Sequence, residues 1–169
     1  MDSDRKLNSS KQQPEKRLVK YANFDEMLAD AETLAKDGYT KQGKWSLGQA
    51  CGHVAIWMRY PIEGFPKPPL VIRAIFGLMN LTGYTKRTSD RILQEGFSGG
   101  MPTAPQTVLA DTTEDQAGIT QLREAVQLVK NHSGSLHPSP LFGEMDMATH
   151  TKVCLLHAEH HLGYLTPKT

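Results

Sequence analysis

The sequence predicts an all-α fold, a four-helix bundle with an inserted helical segment between the second and third core helices. Three observations carry the prediction. Apolar residues recur at steps of three and four over four separate stretches, the spacing that keeps side chains on one face of a helix. Each stretch opens on a residue suited to capping a helix N-terminus. No stretch alternates with period two, and the one Asp-Gly pair, Asp37-Gly38, follows a helix rather than joining two apolar runs.

The first helix starts after Asn23, with Glu26 in position to complete a capping box. Phe24, Met27, Leu28, Ala31, Leu34 and Ala35 form its apolar face, and Gly38 stops it. The second helix follows Trp45. Ser46 is its N-cap and Gln49 the box partner, and Leu47, Ala50, Val54, Trp57 and Met58 form the stripe with His53 on its edge. Pro61 is expected to end or kink this helix, and Gly64 to Pro69 to make a stiff connector. The inserted segment reads as an apolar helix over Leu70 to Leu81 and a shorter one over Thr88 to Glu95, flanking a pocket or bracing the bundle.

The third core helix is expected to start near Thr113, with Gln116 as its box partner. Ile119, Leu122, Val126 and Val129 form a bundle seam, and Gly134 closes the helix. Asp146 caps the last helix, which is expected to run to about Leu165, before Pro167. Leu155 and Leu162 fall away from the histidine face of that helix. Its other side is therefore expected to be buried against the inserted segment or a second subunit, which allows a homodimer.

Composition narrows the function classes. The 169 residues suit one domain, read as residues 17–169 behind a polar, disordered lead-in at residues 1–16. A formal charge of +1, from 19 basic and 18 acidic residues, gives no electrostatic case for a nucleic-acid or membrane partner. The N-terminal stretch has no apolar core of a signal peptide, and the longest apolar run is too short to span a bilayer. Cys51 and Cys154 make neither a disulfide framework nor a zinc-type pair, so they read as reduced thiols in a cytoplasmic protein.

The chemistry lies near the end of the chain. Three of the seven histidines fall in the run His157-Ala158-Glu159-His160-His161. His157 and His161, four apart, project from one helical face and can share one metal ion if a third ligand comes from elsewhere. His53 on the second helix is the best third ligand, because metal sites in bundles are built from facing helices. His160 is the main rival ligand, or else lines the pocket, while Glu159 lies too far round the helix to join the pair. His150 sits about two turns below His157, too far to ligate with it. Cys154, three residues before His157, is less favoured than a plain buried thiol. Trp57 and His137 are candidate pocket residues. Nucleotide-binding loops, the Gly-x-Ser-x-Gly elbow, the zincin His-Glu-x-x-His and the carboxylates of a di-iron bundle are all absent from the sequence.

Trp45-Ser46-Leu47-Gly48-Gln49 with His53, and His157-x-x-x-His161 on the last helix, resemble the DinB/YfiT-like superfamily of metalloenzymes. His137-Pro138, Leu141-Phe142-Gly143 and His157 to Leu162 are similar to its DUF1569 branch, over about Arg17 to Pro167. The resemblance implies a four-helix bundle holding a metal on His53, His157 and His161. Better-known relatives include thiol-dependent transferases and isomerases that use low-molecular-weight thiols.

The sequence thus points to a divalent-metal protein, zinc or nickel favoured and iron or manganese allowed, acting on a small molecule. A bound thiol would make it an S-transferase, and a bound water a hydrolase. The alternative is a non-catalytic helical module with packed histidines or a structural ion.

Overall fold

The computed structural model describes residues 16–67, 70–100 and 103–168, and the lead-in expected at residues 1–16 lies outside them except for Lys16. Six α-helices make up most of the described chain: α1 (Phe24–Asp37), α2 (Leu47–Glu63), α3 (Leu70–Leu81), α4 (Tyr84–Glu95), α5 (Asp115–Asn131) and α6 (Met147–Leu162). Among the described residues no helix is long and apolar enough to cross a membrane.

The first two helices start where local chemistry places them. The Asn23 side chain accepts from Glu26 N at 2.9 Å, and Ser46 with Gln49 forms a reciprocal capping box. Pro61 does not end α2, which runs two residues further and closes at Gly64, whose φ of +101° suits glycine.

The start of α5 departs from the expected capping box. The helix begins at Asp115, and no side chain caps it. The Asp115 carboxylate instead reaches across to α2, accepting from Gly48 N at 2.9 Å and from Tyr39 Oη at 3.1 Å. The polar group at this helix start thus serves the N-terminus of its neighbour, where a carboxylate also meets the positive end of the helix dipole. Helix α4 begins four residues earlier than expected, after Gly83 at φ +69°. Helix α6 ends at Leu162 rather than Leu165.

The chain beyond α6 forms a short strand that the sequence did not signal. β1 (Tyr39–Lys41) and β2 (Leu165–Pro167) pair antiparallel, with Thr40 opposite Thr166. Three-residue strands carry no readable period, and Pro167 is tolerated because this two-stranded ribbon has only edges. The pairing ties the chain after α6 to the turn between α1 and α2.

The core lies between α1, α2, α5 and α6, around Met27, Leu34, Leu47, Met58, Ile119, Leu122, Val126 and Leu162. Helices α2 and α5 approach very closely through glycine. A Cβ at Gly118 would stand 2.3 Å from the Gly48 carbonyl oxygen, and one at Gly48 would stand 2.5 Å from that of Thr113. Neither position accepts a larger residue without parting the helices.

Leu155 and Leu162, on the far side of α6 from the histidines, are buried as expected. Both belong to this same core, so α6 is wrapped on several sides within the chain. Part of the wrapping is the extended segment 16–22. Tyr21 N donates to Glu159 at 2.9 Å, Lys20 pairs with the same carboxylate at 3.1 Å, and Arg17 N donates to the Gly163 carbonyl at 2.9 Å. Arg17 also forms a two-pronged pair with Asp30 of α1.

Candidate metal centre

The periodicity that buries α2 and α6 against each other also decides which histidines meet. His53 lies on the inner face of α2 and is almost fully buried. His157 and His161 rise from α6 one turn apart, each partly buried. Their Nε2 atoms converge: His53 to His157 at 3.2 Å, and His157 to His161 at 3.0 Å. Three nitrogens bound tetrahedrally at ~2.05 Å from one ion would stand roughly 3.3 Å apart, close to these spacings. The three imidazoles form a group able to hold a metal ion.

The tautomer of His53 is fixed by its surroundings. Its Nδ1 stands 2.9 Å from the Thr107 carbonyl oxygen, which can only accept, so Nδ1 carries the proton. Nε2 is left with a lone pair directed at His157. A backbone carbonyl behind an imidazole is the usual device for orienting a metal-ligating histidine. The short 3-10 turn Pro105–Thr107 supplies that carbonyl.

Charge points the same way. Burial lowers the His53 pKa to about 4, against an opposing effect of the Thr107 hydrogen bond. His157 is held well below its ordinary value by burial, then by His53 and His160. His161 is lowered likewise by burial and by its neighbours. All three rings are therefore neutral near pH 7. Without a cation, one N–H would have to serve both short Nε2 contacts, while a cation would satisfy three lone pairs together.

Aromatic rings wall the group. Trp45 stacks on His161 with centroids 4.8 Å apart and an interplanar angle of 11°, and meets His53 edge-on at 4.8 Å. Trp57 stands 6.3 Å from both His53 and His157. Phe97, from the loop after α4, lies 5.0 Å from His157. The sequence reading missed Trp45 and Phe97 as site residues. Trp45 sits eight positions before His53, outside the helix, and Phe97 arrives through a glycine-flanked loop; neither leaves a spacing signal.

The remaining sequence candidates fall elsewhere. His160 is not one of the converging ligands: its ring lies edge-on to His161 at 4.8 Å, and its Nδ1 donates to the Phe97 carbonyl at 3.0 Å, which holds the loop against α6. Glu159 is occupied by Tyr21 and Lys20, in keeping with its position round the helix. His150 is buried and donates through Nε2 to the Met58 carbonyl at 3.1 Å; its Nδ1 accepts from Cys154 Sγ at 3.6 Å. Burial raises the Cys154 thiol pKa, so it packs as a protonated thiol away from the three histidines. His137 donates its backbone N–H to the Pro61 carbonyl at 2.6 Å, and its ring lies beside Gly64 at the far end of α2. It does not line the site.

A family model described as a protein of unknown function, DUF1569, matches residues 13–168. No curated protein and no solved structure matches the chain.

Proposed function

The chain belongs to the DUF1569 family, for which no activity is described, so we propose a function from the site itself: a divalent-metal protein whose ion is held by His53, His157 and His161. One observation carries the reading, the convergence of three neutral Nε2 atoms with the His53 tautomer preset by Thr107. Zinc or nickel suits an all-imidazole donor set best, with iron or manganese as alternatives.

We further propose that the protein is an enzyme of the DinB/YfiT-like kind, a four-helix bundle spanning residues 17–169 as one domain. Three protein ligands leave a tetrahedral ion with one exchangeable position, the pattern of catalytic rather than structural zinc. When bound, such an ion supplies Lewis acidity that lowers the pKa of a thiol or water in that position. The chain's own residues do the positioning. Thr107 fixes the His53 ring, Trp45 packs flat against His161, and Phe97 and Trp57 shield the group from bulk water.

The reading favours a small-molecule substrate, transferred to a thiol or hydrolysed, in a cytoplasmic setting that agrees with two buried free thiols. Elemental analysis of protein purified without a nickel column tests the metal. The wild type is expected to carry or take up one divalent ion per chain, and His53→Ala, His157→Ala and His161→Ala to lose it. His160→Ala is expected to keep it. Metal-free wild type that takes up no ion on soaking would overturn the proposal.

A further inference from the structure

Among the described residues, helix α3 is the one helix that leaves several large apolar side chains exposed. Its sequence, Leu70 to Leu81, carries a single charge, Arg73. It packs chiefly against α4. Leu70 is 77 % exposed and Leu81 85 %, with Ile75, Leu78 and Tyr84 each half exposed or more. Leu70, Leu78 and Leu81 fall within a quarter turn of one another on α3 and, with the small residues between them, expose on the order of 500 Å² per copy, within the upper range of what monomers ordinarily leave uncovered.

The exposed residues have an order. Leu70, Ala74, Gly77 and Leu81 are all exposed, and they follow one another along α3 in steps of four, three and four. That is the heptad spacing of a helix–helix seam. The seam within α3 is also its own complement. In an antiparallel pair centred between positions 75 and 76, Leu70 of one copy meets Leu81 of the other, and Ala74 meets Gly77. Large residues close the two ends, and small ones at the centre let the backbones approach.

Gly77 supplies a second observation. Gly48 and Gly118 are demanded by close contacts within the chain, but a Cβ at Gly77 would meet nothing within 4 Å. Glycine in a helix interior is less stable than alanine. No contact among the described residues accounts for it, whereas close approach of a second helix does.

We infer that the exposed face of α3 is the contact surface of a two-fold symmetric homodimer, formed by antiparallel pairing with α3 of a second copy. The two copies together would bury on the order of 1,000 Å², the lower edge of specific interfaces, so a micromolar association is expected. The face used is distinct from Leu155 and Leu162, which belong to the core of each chain.

Sedimentation of the full chain across a concentration series tests this. The wild type is expected to shift from 18.8 kDa to twice that mass by about 100 μM chain. Gly77→Leu and Leu81→Glu are each expected to weaken association at least tenfold. Gly77→Leu has room in the monomer and should leave the thermal unfolding midpoint unchanged or raised. Orientation is read by oxidative cross-linking: a mixture of Leu70→Cys and Leu81→Cys chains should cross-link more readily than either variant alone. A wild type that stays monomeric overturns the inference, as does a dimer indifferent to both substitutions or one cross-linking Leu70→Cys to itself. A monomer that instead sediments with anionic vesicles through Leu81 would assign the face to a lipid surface and equally overturn it.

Discussion

Acidifying the metal-free chain reads the burial of the three histidines directly. In the folded state His53 stays neutral down to about pH 4, while an unfolded histidine ionises near 6.5. Above pH 6.5 both states are neutral and the ring makes no pH-dependent contribution. Below it the unfolded chain binds the proton first, so stability falls as pH drops through the window between the two values. Each unit below the unfolded pKa costs ~1.4 kcal/mol, so His53 alone removes about 2 kcal/mol by pH 5. His157 and His161 are lowered in the same sense and add to the loss. Against a typical total of about 5–15 kcal/mol, this is a large fraction.

The assay is urea denaturation of chelator-treated protein at steps from pH 7.5 to 5, for the wild type and His53→Leu. The variant is expected to be less stable throughout, because the Thr107 carbonyl loses its donor, but to show a shallower slope by up to one proton. Identical slopes, or stability independent of pH over that range, would refute the view that His53 is held neutral by burial.

Other consequences can be measured in parallel. Gly118→Ala is expected to destabilise the fold by at least about 1–3 kcal/mol in urea denaturation, because its Cβ would strike the Gly48 backbone; wild-type stability would refute the close α2–α5 contact. Asp115→Ala removes the acceptor for Gly48 N and Tyr39 Oη and should cost about 1–2 kcal/mol, read as a lowered denaturation midpoint at unchanged slope. Trp45→Ala is expected to weaken metal affinity roughly tenfold in a competition titration, since it unseats His161 without removing a ligand. Glu159→Gln should leave metal affinity unchanged while loosening segment 16–22, seen as faster amide exchange at Tyr21.

How much could be read from the sequence depended on whether the signal was local. Asn23 and Ser46 cap the helices they precede, so their neighbours in sequence sufficed. Asp115 serves another helix, and nothing near it in sequence announces Gly48 or Tyr39. Burial of Leu155 and Leu162 was legible but their partner was not, because a helix surrounded on several sides has no single apolar stripe; Glu159 is buried there because Tyr21 and Lys20 come to it. The histidine group was legible because two of its members lie one turn apart and the third sits on a strongly patterned helix. Its walls were not, since Trp45 and Phe97 reach it through loops whose paths are set by tertiary contacts.

The central claim is that three imidazoles hold the ion and one position stays open. X-ray absorption at the metal edge of the loaded, untagged chain tests it directly. Three nitrogen ligands at about 2.0–2.1 Å with imidazole scattering, plus one light ligand that exchanges for added thiol, is the predicted result. A closed set of four protein ligands, or an oxygen-dominated shell without imidazole scattering, would contradict it.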